Sequence, residues 1–264
     1  MKPIVKYQGS KRKELPLIKQ YITNKYKRIV EPFCGGASVS FGMQLPAVLY
    51  DINPDVINLY QVVADKQLYP KLQLRVNEIK EYQYAKLEEL FYEARDVINS
   101  NNEDPYNRAL SYILIRQLGF SGMERYNSSG DFNVPFGHYK RFACNLSPAH
   151  HRFLSNCIIK NTSALDCFDE IRENDFVFLD PPYINRLGYI NGDGGQELHE
   201  QLSEKVKECK ADWLIVHCDD EFYREAYKNY NIRTEAYCYA QCWGKDKNHS
   251  NQKVNHLYIS NIDF

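Results

Sequence analysis

The chain has no apolar run long enough to cross a bilayer. Its opening residues, Met1-Lys2-Pro3-Ile4-Val5-Lys6, lead into a charged stretch rather than an apolar signal core, so neither a membrane span nor a secretory leader is expected. Net charge is nearly absent: 33 Lys and Arg stand against 34 Asp and Glu, giving −1 at pH 7. A uniformly basic coat for nucleic acid is thereby excluded, and only an uneven distribution of charge could serve that purpose. The eight cysteines form no dense framework, which points to reduced thiols in a cytoplasmic setting. Cys238 and Cys242, with His249 and His256 further on, match no standard zinc spacing, and no metal is expected. Internal repeats, low-complexity tracts and flexible linkers are also missing.

What is present suits a globular protein of one large domain or two modest ones: 264 residues, 44% hydrophobic and 25% charged. Charge is unevenly spread. From Met1 to Arg28 there are nine Lys and Arg and a single acid, Glu14, whereas Asp166, Asp169, Glu170, Glu173 and Asp175 gather later. A locally basic face is compatible with phosphate contact and equally with a solvated helix. The 21 tyrosines would serve ring stacking without requiring it.

The most informative stretch is Asp180-Pro181-Pro182-Tyr183, directly after the apolar run Phe176–Leu179. A buried strand there delivers a carboxylate to a sheet edge. The prolines end the ladder and leave carbonyls without N–H groups of their own, and Tyr183 adds a flat ring. Such a cluster suits a planar amino group on a heterocycle: Asp180 and the Pro181 carbonyl accept its hydrogens while the ring stacks. An exocyclic amine of adenine or cytosine is a poor nucleophile, because its lone pair is spread into the ring. Two acceptors would draw the nitrogen toward tetrahedral geometry and localise that pair. On these four residues alone, a strand ending in a Pro-Pro turn with Asp180 as a cap is an equal reading.

Elsewhere the pattern alternates. Residues 13–26 are expected as a helix with Leu15, Ile18, Ile22 and Tyr26 on one face. Arg28–Pro32 is a short strand, followed by Phe33-Cys34-Gly35-Gly36-Ala37-Ser38 and a helical start, and Val48–Asp51 is a second strand ending in an acid. Strand, glycine turn, helix and strand-with-acid open a doubly wound α/β fold. Residues 56–118 are helical in pattern, with a break at Asp104-Pro105, and 119–142 form a loop or hairpin rich in Gly, Asn, Ser and aromatics. Strand signals return at 157–159, 176–179, 213–218, 232–240 and 256–262. The helical segment is therefore inserted between the second and third strands of one sheet. Gly35-Gly36 permits close backbone approach at a helix N-terminus. Asp51 lies where a ribose diol is commonly held, so a ribose-bearing cofactor is implied, a dinucleotide included. Asp51 could otherwise cap the helix that follows Asn53-Pro54.

Taken together, Lys6-Tyr7-Gln8-Gly9-Ser10-Lys11-Arg12-Lys13, Glu31-Pro32-Phe33-Cys34-Gly35-Gly36, Asp51-Ile52-Asn53-Pro54 and Asp180-Pro181-Pro182-Tyr183 resemble, in order, the motifs of the Dam family of adenine-N6 DNA methyltransferases, the alpha-type D12 class. The stretch Gly122–Asn127 through Asp131–Gly137 is similar to the hairpin with which that family reads DNA. The likeness runs by motif from Tyr7 to Tyr183. It implies a Rossmann-like class I methyltransferase sheet, residues 1–62 and 152–264, with a mainly helical target-recognition insertion, residues 63–151. It also implies S-adenosylmethionine as methyl donor and double-stranded DNA as partner.

By position, the resemblance places Tyr7, Gly9 and Lys11 on the methionine part of the cofactor, Phe33, Gly35 and Gly36 on its backbone side, and Asp51 on its ribose. Asp166 falls at a contact to the cofactor adenine in a segment that matches less well, and Asp180 serves both ligands. Arg125 falls on the family's guanine-reading arginine, for which bidentate contact to O6 and N7 is the physical reason, with a phosphate contact as the alternative. Met123 and Pro135 fall on apolar contacts of the same hairpin, beside Tyr126 and Asn127. Lys140 and Arg141 are expected on the DNA backbone.

Two segments depart from the family: Ile184-Asn185-Arg186-Leu187-Gly188-Tyr189, where relatives carry a Ser/Thr-rich stretch, and Val216-His217-Cys218-Asp219-Asp220, where relatives carry a Ser-Asn pair. The expected reaction is methylation of N6 of an adenine flipped from the duplex, with GATC as the expected site and no covalent intermediate. An RNA adenine, a protein glutamine or a regulator without catalysis are the competing readings. A monomer in a prokaryotic or virus-infected cytoplasm is expected, with a cognate restriction endonuclease acting separately or an orphan role.

Overall fold

The β-branched and aromatic runs become the strands of one sheet: β1 (Arg28–Glu31), β2 (Ala47–Asp51), β3 (Ile158–Asn161), β4 (Asp175–Leu179), β5 (Asp212–Cys218), β6 (Asn231–Tyr239) and β7 (Gln252–Ser260). The computed structural model describes residues 1–100, 104–184, 195–239 and 252–263. Strand order is β3-β2-β1-β4-β5-β7-β6. The first five run parallel, with Val30 opposite both Val48 and Val177. β7 inserts antiparallel between β5 and β6.

Every residue of β4 is buried, as expected of a parallel strand covered on both faces. The two-residue period divides it: Phe176 and Phe178 pack with Ile18, Tyr26 and Leu214, while Val177 and Leu179 pack with Trp213, Leu202 and Tyr223. The order reverses between β1 and β4, so their carboxyl ends open a crevice where ligands of doubly wound sheets bind. Asp51 and Asp180, at the ends of β2 and β4, are both brought to that edge.

Residues 13–26 do not form the expected helix. A 3₁₀ turn at Lys11–Lys13 leads into α1, only Leu15–Ile18, and the chain continues through turns. Ile18, Ile22 and Tyr26 are nevertheless buried and Leu15 packs beside them. Burial of the apolar face was therefore legible, but Tyr21, Ile22, Thr23 and Asn24 are weak helix formers, and tertiary contacts hold them without a helical ladder.

After β1, α2 (Ser38–Met43) returns the chain to β2. The insertion then follows as α3 (Pro54–Ala64), α4 (Leu68–Ile79), α5 (Tyr84–Asn99) and α6 (Pro105–Leu118). Its starts are coded locally. Asn53 accepts from the Asp55 N–H at 2.9 Å and Asp104 from the Asn107 N–H at 2.6 Å, each followed by proline at the first helical position. Asn53, not Asp51, is thus the cap of α3. On α5, Leu87, Leu90, Phe91, Ala94 and Ile98 form one buried stripe. It faces α6, which is buried from Ser111 to Leu118. One apolar cluster joins this lobe to α2, α3 and the β2 edge. The expected domain boundaries, 62/63 and 151/152, fall inside α3 and α7 (Pro148–Leu154). Beyond β4, α8 (Gln196–Glu208) and α9 (Glu221–Ala226) cover the second face.

Candidate active site

The glycine turn after β1 is shaped by one tyrosine. A Cβ on Gly35 would stand 2.5 Å from the Tyr7 ring, and one on Gly36 would stand 2.8 Å from the Tyr7 Cβ. Gly35 also has φ +42, a conformation that costs a side chain energy. The turn is pinned at both ends: the Gly35 N–H donates to Asp51 Oδ2 at 2.8 Å, and the Tyr60 hydroxyl donates to the Gly35 carbonyl at 2.6 Å. The second Asp51 oxygen accepts from the Asn53 N–H at 2.9 Å. Burial pushes the Asp51 carboxyl up to about 6 against these two N–H groups. Phe33 is half-buried on the apolar face of β4 and β5.

Glu31, at the end of β1, was not among the expected site residues. It is 2% exposed, accepts from the Ser40 N–H at 2.7 Å, and burial pushes its carboxyl up to about 7. Its signal was present in sequence, an acid closing an apolar strand immediately before the glycine turn.

The N-terminal segment crosses the crevice and meets the end of β4. Gly9, at φ +74, turns the chain, and the Lys11 N–H donates to Ser38 Oγ at 3.1 Å. Lys11 is 3% exposed. Its Nζ donates to Asp180 Oδ1 at 2.5 Å and to the Gly9 carbonyl at 3.1 Å. Burial raises the Asp180 carboxyl above its ordinary value, with Lys11 pulling the other way. Pro181 is buried and Pro182 half-buried. Tyr183 is 5% exposed, its ring edge-on to His217 at 4.9 Å and its hydroxyl 3.4 Å from His256 Nε2. His217, in the departing segment on β5, is buried, and desolvation holds its imidazole down at about 3. Beside Lys11 lies a cavity of about 200 Å³ lined by Tyr7, Gly9, Glu14, Tyr237 and His256 among others.

Asp166 stands apart. It opens an exposed 3₁₀ turn after β3 and accepts from the Thr162 hydroxyl at 3.0 Å. Among the described residues it makes no hydrogen bond to Tyr7, Asp51 or Asp180. Residues 185–189, Cys242, His249 and the side chain of Cys238 lie outside the described residues.

Residues 119–142 do form a hairpin, held by bridges between Gly119 and Phe136 and between Tyr126 and Phe132. Phe132, Val134 and Phe136 anchor it in the core, leaving Pro135 exposed. Arg125 is exposed, with Nε donating to Asn133 Oδ1 at 2.7 Å and Nη2 to the Asn133 carbonyl at 3.0 Å. Asn127 shapes the turn, its Oδ1 accepting from the N–H groups of Ser129 and Asp131. Met123 is half-buried on the lobe, and Lys140 and Arg141 are exposed.

A junction that sequence reasoning missed ties this hairpin to the crevice. Glu124 accepts from Arg116 Nη1 at 2.9 Å, from Asn53 Nδ2 at 2.9 Å and from the Tyr126 hydroxyl at 3.0 Å. Arg116 is fully buried. It donates to the Lys6 carbonyl at 3.1 Å and to the Met123 carbonyl at 3.3 Å, and its guanidinium lies 5.1 Å from the Tyr7 ring centroid. An arginine within an amphipathic helix carries no sequence mark of burial.

Residues 7–241 match the family described as D12 class N6 adenine-specific DNA methyltransferase. Among relatives, the chain is 35% identical over 247 residues to Type II methyltransferase M.CviBI of Paramecium bursaria Chlorella virus NC1A, covering 89% of each. It is 28% identical to the Retron Ec67 DNA adenine methylase of Escherichia coli, covering 87% of this chain and 82% of that one. It is also 28% identical to a DNA adenine methylase of Haemophilus influenzae, covering 86% and 82%.

Proposed function

The chain belongs to the D12 class of N6 adenine-specific DNA methyltransferases, and from there we propose that it methylates adenine in GATC, on a base flipped out of the duplex, with S-adenosylmethionine as donor. The observation that carries this reading is the Lys11–Asp180 contact of 2.5 Å, which sets the cofactor-side segment against the catalytic acid.

The crevice suits the donor. The glycine turn leaves backbone where any Cβ would strike Tyr7, and Asp51, held by two N–H groups, presents a fixed carboxylate for a ribose diol. Tyr7, Gly9 and Lys11 would hold the methionine part, Phe33, Gly35 and Gly36 its flank, and Asp166 the adenine end. Bound there, S-adenosylmethionine supplies an electrophilic sulfonium methyl group.

The remaining work belongs to the chain. Asp180 and the Pro181 carbonyl accept the two hydrogens of the adenine amino group, localise its lone pair and orient it. Tyr183 stacks on the base. Flipping costs roughly a few kcal/mol, offset by that stacking and by the two hydrogen bonds. Asp180 need not be a strong base, because the amine becomes acidic only as it is methylated. Lys11 works against the rise that burial imposes on the Asp180 carboxyl.

Residues 63–151 read the site. Arg125 takes the guanine edge, Met123, Tyr126, Asn127 and Pro135 line the same hairpin, and Lys140 and Arg141 meet phosphates. Asn133 holds the guanidinium through its side-chain oxygen and its carbonyl. The enzyme acts as a monomer, and the type II name of the viral relative favours a modification role beside a separate endonuclease.

Expression in a host lacking adenine methylation, followed by long-read mapping of N6-methyladenine, tests the reading. Dense methylation of GATC alone is expected. A different single motif would overturn the site, and a soluble, donor-binding protein that leaves DNA unmethylated would overturn the substrate.

A further inference from the structure

Opposite Lys11, the crevice is walled by residues outside all four shared motifs. His256, on β7, is 1% exposed, and its Nδ1 faces both carboxylate oxygens of Glu14, at 2.8 and 3.1 Å. Glu14 is itself buried, directly after the turn that carries Lys11. The second ring nitrogen of His256 lies 3.4 Å from the Tyr183 hydroxyl. Tyr237 stacks on the far face of the same imidazole at 4.7 Å and 8°. Glu14, His256 and Tyr183 thus form one polar chain drawn from the N-terminal segment, β7 and the loop after β4.

The chemistry of that chain has a direction. An ionised carboxylate only accepts, so Nδ1 of His256 carries a proton and donates to Glu14. In the neutral imidazole Nε2 is then the acceptor, turned toward the Tyr183 hydroxyl. Two apolar side chains would fill the same space without the desolvation cost of a buried acid beside an imidazole. What the polar chain provides instead is a fixed polar anchor for the hydroxyl end of one phenol ring, which also meets His217 edge-on at 4.9 Å and Lys11 Nζ at 5.8 Å from its centroid.

We infer that His256, with its tautomer set by Glu14, is a positioning residue that anchors the hydroxyl end of Tyr183, and with it the ring, for the flipped adenine. This rests on the reading of Tyr183 as the stacking platform. His217, in the departing segment on β5, completes the setting with its ring edge-on to Tyr183.

A double-mutant cycle with Tyr183→Phe and His256→Gln in the full-length enzyme tests the inference. Single-turnover methylation is measured on a duplex of the mapped motif. Fluorescence is read, with no methyl donor added, from the same duplex carrying 2-aminopurine at the target position. Tyr183→Phe keeps the ring and removes only the hydroxyl. Each single variant is expected to slow methylation about five- to tenfold, one hydrogen bond's worth, and to shift the bound 2-aminopurine signal in the same direction. The double variant is expected to match the slower single one.

Losses that multiply in the double variant would assign His256 a purely structural role and overturn the inference, as would single variants with wild-type rate and fluorescence. Should His256→Gln fail to fold, Glu14→Gln, which keeps volume and an acceptor, replaces it in the cycle with an expected loss of about two- to threefold and the same criterion. Wild-type methylation of that duplex reports separately on the adenine reaction.

Discussion

Lys11 Nζ and Asp180 Oδ1 meet at 2.5 Å across 169 residues of chain, with the lysine 3% exposed. Neither partner is placed by local structure alone. Lys11 depends on the turn at Gly9 and on its N–H bond to Ser38 Oγ, and Asp180 depends on the end of β4. Their contact locks the N-terminal segment onto the end of β4 and opposes the rise that burial imposes on the Asp180 carboxyl.

In the proposed reaction, removing Asp180 removes an acceptor of the reacting amine. Asp180→Ala is expected to lower single-turnover methylation by about a thousandfold, at the upper end for loss of one electrostatic group, with folding retained by thermal melting. Near-normal turnover would exclude Asp180 from the chemistry.

Lys11→Met is expected to act through protonation. Burial already raises the Asp180 carboxyl and the lysine works against that rise, so without it the carboxyl climbs further. The acidic limb of kcat/KM against pH should therefore move to higher pH, with partial recovery of rate in alkaline buffer. A uniform loss at every pH would mean that Lys11 only binds cofactor.

The same sign applies to stability at Glu31. Its folded carboxyl is raised from 4.5 to about 7 by burial. The folded state therefore binds the proton more tightly than the unfolded state, and stability falls as pH rises from about 4.5 through 7. Glu31→Gln keeps an acceptor for the Ser40 N–H and removes the titration. The variant should gain on the order of 2 to 3 kcal/mol relative to wild type between pH 5 and pH 8. Parallel melting curves at the two pH values for the two proteins would check it.

The residues behind these outcomes show what a sequence exposes. Gly35-Gly36, Asp51 and Asp180-Pro181-Pro182-Tyr183 were legible because each is a compact local signal at a strand end, and the alternating strands revealed the sheet and the insertion. The short α1 was hidden, because burial of Ile18, Ile22 and Tyr26 needs no continuous helix once other elements cover them. Arg116 and His256 were hidden for another reason. Each is one of several polar residues in its element, with nothing local to mark it as buried, and only the packed structure brings Glu124 and Glu14 beside them.

Arg125 is expected to govern choice more than chemistry. It is exposed at the hairpin and already held by Asn133. Arg125→Ala should cost about 1 to 3 kcal/mol of discrimination at the guanine while changing kcat at saturating DNA much less. Competition between cognate and guanine-substituted duplexes reads the first quantity, and unchanged discrimination would remove Arg125 from base reading.

Glu124 offers the sharpest test of whether the hairpin is linked to the crevice at Asp51. Its carboxylate neutralises the fully buried Arg116 at 2.9 Å, bonds Asn53 beside Asp51, and precedes Arg125 in the chain. Glu124→Gln keeps the size and leaves the arginine charge without its counter-ion, a change that costs about 3 to 5 kcal/mol where a buried pair is broken, so the melting temperature should drop. Glu124 also contributes to the raised carboxyl of Asp51, and its neutralisation should let that carboxyl fall below about 6. Donor binding by the folded variant should then persist to lower pH than in wild type, while discrimination at the guanine weakens. A variant that melts earlier but keeps both the wild-type acid limb of donor binding and full discrimination would show that the junction holds the lobe in place without linking the two sites. Calorimetric titration with donor across pH, paired with the duplex competition, separates these outcomes in one set of variants.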